Sequence, residues 1–270
     1  MKPELIFYGG HKLTEAPLYD KKTKTLYFVA IRYNTIFAMN TDTLAISSFT
    51  TDGPVGGFVF RGDEFIEAEK GGIYKIDFKA GTKEKIAHVL PHEKMRYNHI
   101  IADSRGRLLV DVMGDEERCV GMGGLYSIDG SSSRCIIDGM TVSNGVCLND
   151  DETKLYFTDT PSKKVWCYDY DINTGDVSNE QVIMTFEGAP GPDGLMLDKN
   201  GLLYVTEWAG GKIDVIDTRD FRKVNELVFP CLHITASCLG EDNCMYVTTA
   251  KCGDEDEVPY AGGIFKVKLS

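Results

Sequence analysis

Residues 186–208 read FEGAPGPDGLMLDKNGLLYVTEW, and this stretch decides the fold. A Gly/Pro-rich loop ends in a single acid, Asp193, and two apolar segments follow, separated by Lys199-Asn200-Gly201. Glycine and proline fix a tight, irregular backbone, and Asn-Gly between apolar runs signals a β-hairpin. The loop therefore delivers one carboxylate to the mouth of a hairpin.

The same layout recurs along the chain. Apolar-aromatic strands followed by a short polar turn and a second strand begin at Leu26, Glu64, Leu108, Leu155, Leu203 and Met245. Anchors at Tyr27, Phe65, Leu109, Tyr156, Tyr204 and Tyr246 are 38, 44, 47, 48 and 42 residues apart. Helical periodicity is absent, and repeats of this length carrying several short strands indicate four-stranded propeller blades. The expectation is an all-β, six-bladed β-propeller forming a single domain over residues 1–270. The last copy ends at Leu269 with no room for a fourth strand, while ELIFYGG near the N-terminus is spare. That segment is expected to pair onto the last blade and close the ring.

Composition narrows the partners. Forty-one acidic residues against 29 basic ones give a net charge of −12, which repels phosphate backbones and anionic lipid. No run approaches the ~18 apolar residues of a membrane helix. The start, MKPELIFYGG, carries Glu4 and no apolar core, so no signal peptide is expected and the protein is read as cytoplasmic. Eight cysteines without a C-x-x-C pair read as buried reduced thiols. His88 and His92 flank Pro91 and read as surface residues, and His11 as a turn histidine.

In a propeller the first strand of each blade lines the central axis, so residues sharing one repeat phase are expected to converge. Glu15 lies 12 residues before its anchor, Asn98 11, Asn144 12 and Asp193 11, with the small Gly57 and Ser237 near this phase in blades two and six. Two carboxylates brought together need a cation between them. Oxygen-only donors suit a hard divalent ion, Ca²⁺ foremost, with Mg²⁺, Mn²⁺, Zn²⁺ and Fe²⁺ as alternatives. The same residues also serve as turn formers, since Asn-Gly and Asp-Gly mark turns in any case.

LTEAPLYDKKTKTLYFVAI, RYNHIIADSRGRLLVDVMG, SNGVCLNDDETKLYFTDT and GPDGLMLDKNGLLYVTEW, in this order, resemble successive motifs of the gluconolactonase/senescence-marker-protein family. That family is also called regucalcin-like or luciferin-regenerating-enzyme-like. The resemblance implies a six-bladed propeller with one divalent metal at the axis, and lactonase activity on sugar lactones. It puts Glu15, Asn144 and Asp193 at metal-ligand positions, Arg96 and Asn98 at substrate-contacting positions, and Glu116 at that of a substrate-side acid. Asp193 would be the base that activates water, with a cation-held water competing for the role. Two departures stand out: His99 where members often carry Asp, and Asp111 where they carry a small residue. The loop 114–123 is also short for a sugar-lactone member. Arg96 and Glu116 favour a sugar-type lactone; His99 and the short loop favour relaxed recognition. The rival readings are a non-catalytic metal- or ligand-binding propeller and a related metal-assisted ester hydrolysis or lactone isomerisation.

Overall fold

The computed structural model describes residues 2–78, 80–115, 119–253 and 260–269. Among them, 24 strands form six four-stranded sheets, every pairing antiparallel. These are the blades of an all-β, six-bladed β-propeller, as the repeat predicts. All six anchors fall on the second strand of a blade: Thr25–Ala30, Glu64–Glu69, Leu108–Gly114, Lys154–Asp159, Leu202–Trp208 and Cys244–Ala250.

The repeat was visible because burial differs across each blade. Second strands are buried over most of their length and are rich in apolar residues; Cys244–Ala250 is buried at every residue. Fourth strands such as Asp176–Thr185 and Arg222–Val228 are mostly exposed. Polar outer strands leave little for another sheet edge to pair with. They also carry little periodic apolar signal, so sequence reading finds them least readily.

Turn chemistry supports the hairpins. Asp198 Oδ1 accepts from the backbone N–H of Asn200 at 2.8 Å and of Leu202 at 2.9 Å, and Gly201 takes φ +79°. Asp103 does the same for Arg105 and Arg107 in blade three, where Gly106 takes φ +82°. An aspartate that binds its own backbone, with a glycine in the left-handed region, fixes the turn and hence the strand register.

By internal packing the chain divides into two compact units, Met1–Thr50 with Phe186–Ser270, and Thr51–Thr185. The first holds blades one, five and six; the second holds blades two, three and four. In each, the core fills the seams between successive blades. Leu109 and Leu125 of blade three meet Val146 and Phe157 of blade four. Ile213 and Leu227 of blade five meet Met245 and Phe265 of blade six.

The N-terminal segment completes blade six, whose sheet runs Glu4–Phe7, Ile264–Lys268, Cys244–Ala250, His233–Leu239. Leu5 pairs with Phe265, and the Phe7 ring sits 5.1 Å from that of Phe28. Deleting residues 1–10 strips the outer edge of Ile264–Lys268 and uncovers Leu5, Ile6 and Phe7 contacts. The truncated chain is expected to melt at least ~5 °C lower and to aggregate, as checked by differential scanning calorimetry and light scattering.

Candidate active site

Each first strand loses register with its second strand once. In blade three Tyr97 pairs with Val112 and Ile100 with Val110, so Asn98 and His99 oppose only Asp111. In blade four Asn144 and Gly145 oppose Thr158, between the Ser143–Asp159 and Val146–Phe157 pairs. In blade five Asp193 and Gly194 oppose Thr206. Blade one breaks just after Glu15, where Ala16 takes φ +50°. Such bulges bend a strand, re-aim its side chains and concentrate beside active sites. Asn98, Asn144 and Asp193 thus hold one structural position in three blades, with Glu15 one residue earlier.

In blades two and six the residue at this break is Gly56 and Thr235, not Gly57 and Ser237. The phase count runs back through hairpin turns whose length varies between blades, which shifts it by a residue or two. Neither offers a ligand. A Cβ on Gly56 would lie 2.3 Å from the Tyr97 carbonyl oxygen, and Thr235 Oγ1 is engaged with Thr14 O and Thr248 Oγ1 at 2.8 Å each.

Within the second unit, the expected substrate and ligand residues form one chain of hydrogen bonds. Arg96 Nη1 donates to Asn98 Oδ1 at 2.8 Å, and Asn98 Nδ2 donates to Asn144 Oδ1 at 3.1 Å and Ser143 O at 3.0 Å. Asn144 Nδ2 donates to Thr160 Oγ1 at 3.0 Å. This fixes the Asn144 carboxamide at both ends and leaves its oxygen with a second lone pair. Arg96 is anchored from behind by Asp115, 3.9 Å away, which also meets Lys70 at 2.5 Å. Sequence reading missed Asp115, because nothing local marks an acid that acts through an arginine on a neighbouring strand. Glu116 lies outside the described residues.

Within the first unit, Asp193 is 3% exposed. Its bulge is held from across the strand by Thr206 Oγ1, which donates to Thr235 O at 2.8 Å and Gly194 O at 3.1 Å. A Cβ on Gly194 would lie 2.8 Å from Thr235 O, so the glycine after Asp193 is dictated by close approach of the next first strand. Glu15 Oε2 accepts from Ala16 N at 3.1 Å. His11 packs on the rings of Tyr33 and Phe37 at 5.0 and 5.1 Å, which accounts for it as a packed turn residue. His88 and His92 are exposed.

Several buried acids lie near these strands. Asp111 is fully buried, burial pushes its pKa well up, and neither carboxylate oxygen has a hydrogen-bond partner among the described residues. His99, opposite it in the bulge, is pushed down to about 4 by burial and is neutral at pH 7. Glu67 of blade two is fully buried and pushed up to about 8, first by burial and then by the neighbouring Glu69. Glu207 is raised to about 7 by burial and then by Asp214. No group of three or more His, Cys, Asp or Glu among the described residues could hold a metal ion. The expected ligand set has only two such side chains, its third donor being a carboxamide. All eight cysteines are free, four of them buried and Cys135 exposed.

Residues 13–251 match the family described as the SMP-30/gluconolactonase/LRE-like region. The chain belongs to this family. It is 29% identical to YvrE of Bacillus subtilis, provisionally named a sugar lactone lactonase, over 94% of this chain and 90% of that one. It is 28% identical to regucalcin of Xenopus laevis, over 99% and 94%. A regucalcin from Agrobacterium tumefaciens, described as a calcium-binding protein, superposes with a TM-score of 0.92 at 20% identity, covering 99% of this chain and 94% of its own.

The Glu67 shift gives a pH prediction. A carboxyl whose folded pKa is about 8, against an ordinary 4.5, stays protonated in the fold after the unfolded chain has released its proton. Its contribution to stability is complete below pH 4.5 and is lost as pH rises towards 8. Glu67→Gln is expected to be near neutral at pH 4 and to stabilise by a few kcal/mol at pH 8–9, read from urea melts at both pH values. An equal effect at both would remove the protonated acid.

Proposed function

We propose that this protein is a divalent-metal-dependent lactonase acting on a sugar-type lactone. The observation that carries the proposal is the shared bulge position of Asn98, Asn144 and Asp193 in a chain of this family. Glu15, Asn144 and Asp193 would hold the cation. The donor set fits a hard ion such as Ca²⁺: two carboxylates balance its charge, and the pinned Asn144 amide offers a neutral oxygen. The name regucalcin and the description of the Agrobacterium protein as calcium-binding favour Ca²⁺.

When bound, the cation supplies positive charge for the lactone carbonyl oxygen as negative charge develops there. Arg96 and Asn98 orient substrate oxygens; their mutual hydrogen bond and Asp115 hold them in place before substrate arrives. Glu116 accepts from a sugar hydroxyl. Asp193 takes the proton from the attacking water as the water oxygen bonds to the acyl carbon. The ring C–O bond then breaks, the ring oxygen takes up the proton, and a hydroxy acid leaves. A carboxylate beside a cation is a weak base, its ordinary pKa of about 3.9 falling further, so turnover should rise with pH over the acid range. Neutral His99 adds no charge to repel a cation. The free thiols fit a reducing, cytoplasmic setting.

A non-catalytic calcium-binding role is the second reading, favoured by the regucalcin relatives. With Ca²⁺ added, pH-stat assays over a lactone panel are expected to show turnover. Asp193→Asn should lower kcat by ~100-fold or more, the size of a general-base loss, and Glu15→Gln should lose bound metal on mild chelation. A metal-loaded wild-type chain that hydrolyses no lactone would leave only the binding role. Wild-type metal content in Glu15→Gln would remove Glu15 from the ligands.

A further inference from the structure

We propose that Trp208 and His233 form a sugar-ring platform beside Asp193: the indole takes the C–H face of a hydroxylated six-membered lactone, and the imidazole takes one of its hydroxyls. The proposal rests on the lactonase reading for its substrate and on separate residues for its site. The two rings lie 4.5 Å apart, centroid to centroid, at an interplanar angle of 61°. Both belong to the first unit, Trp208 at the end of the second strand of blade five and His233 at the start of the first strand of blade six.

Strand register places the pair next to the candidate site. Thr206 faces the first strand of blade six, since its hydroxyl donates to Thr235 O, and Trp208 two residues on shares that face of the sheet. Trp208 pairs with Gly191, and Asp193 follows two residues later, at most ~7 Å along the strand. Gly194 approaches the Thr235 backbone, and His233 precedes Thr235 by the same two residues. His233 also stands in blade six where Arg96 stands in blade three. Each lies one residue ahead of the last pair before the register break, Ile234–Thr249 in one blade and Tyr97–Val112 in the other. In blade five that position is Gly191, and the side chain at this level comes from its cross-strand partner, Trp208.

Burial separates this pair from ordinary core packing. Residues 203–207 and 234–237 are buried, and exposure begins at Trp208 and His233, both half-buried. Trp166, the other tryptophan, is 5% exposed inside the seam between blades three and four. The turn after Trp208 is stitched to the residue before His233: Gly211 N donates to Leu232 O at 2.8 Å, and Phe229 N to Gly211 O at 2.9 Å. Both rings are therefore held in place before a ligand arrives, which lowers the cost of ordering them on binding. An edge-on pair, unlike a stacked one, keeps a ring face open to a third group. The negative face of an indole attracts the weakly positive C–H bonds of a sugar ring as it does the edge of another aromatic ring. An imidazole nitrogen donates to or accepts from a hydroxyl according to its tautomer.

The test uses glucono-δ-lactam, a ring analogue without the hydrolysable ester, titrated into the Ca²⁺-loaded full chain by calorimetry and by tryptophan fluorescence. Saturable binding with a matching change in emission is expected, and the change should vanish in Trp208→Phe, which leaves only the buried Trp166. Trp208→Ala and His233→Ala are each expected to weaken lactam binding about tenfold, the size of one aromatic contact or one hydrogen bond. Trp208→Phe and His233→Asn should recover most of that loss. The kcat/KM preference for gluconolactone over δ-valerolactone, which has no hydroxyls, should fall by a similar factor in His233→Ala; a purely structural role would not move it. No lactam binding by the wild type, binding without a change in emission, or wild-type affinity in either alanine variant would overturn the platform. Lactone hydrolysis is followed separately. Lactam binding through both rings without turnover keeps the platform and removes the lactonase; turnover with wild-type lactam affinity in the alanine variants keeps the lactonase and removes the platform.

Discussion

A register break between the first and second strands, found in every blade and opposite the corresponding residue in blades three, four and five, is the constraint on which the candidate site depends. Regular antiparallel pairing would alternate Asn98, Asn144 and Asp193 between faces of their sheets according to turn length alone. The extra residues halt that alternation and bend each strand. The bulge is itself held: Thr206 bonds the backbone of Gly194 and Thr235, and Thr235 bonds that of Thr14. Polar side chains on buried strands therefore support the geometry of the residues at the bulge.

This arrangement has an energetic cost. Glu67, Asp111 and Glu207 sit in second strands that are largely buried. A lone carboxylate there would pay heavily in lost solvation, and the raised pKa values are the response: Glu67 and Asp111 keep their protons rather than their charge. Blade seams packed with leucine, isoleucine, valine and phenylalanine offset that cost. Such local conflict between residue type and burial is expected where function competes with stability.

Charge is arranged locally rather than by the average. Arg96 is held between Asn98 and Asp115. A paired arginine is a fixed instrument for orienting a ligand already present.

The sequence by itself determined the number of blades, the all-β class and the strand that completes blade six. Each follows from local signals: apolar second strands, Asp-x-x-Gly turns such as 198–201, and a spare strand at the N-terminus. It also marked Asp193, Asn144 and Asn98, because turn residues at a constant distance from an apolar anchor are legible in one dimension. Only the tertiary structure decided which residues sit at the bulge in blades two and six, since turn length shifts the count there. It alone showed that Asp111 and Glu67 are buried, that Asp115 backs Arg96, and that the rings of Trp208 and His233 meet. Those facts depend on register and packing between segments far apart in the chain, and residue spacing carries no record of them.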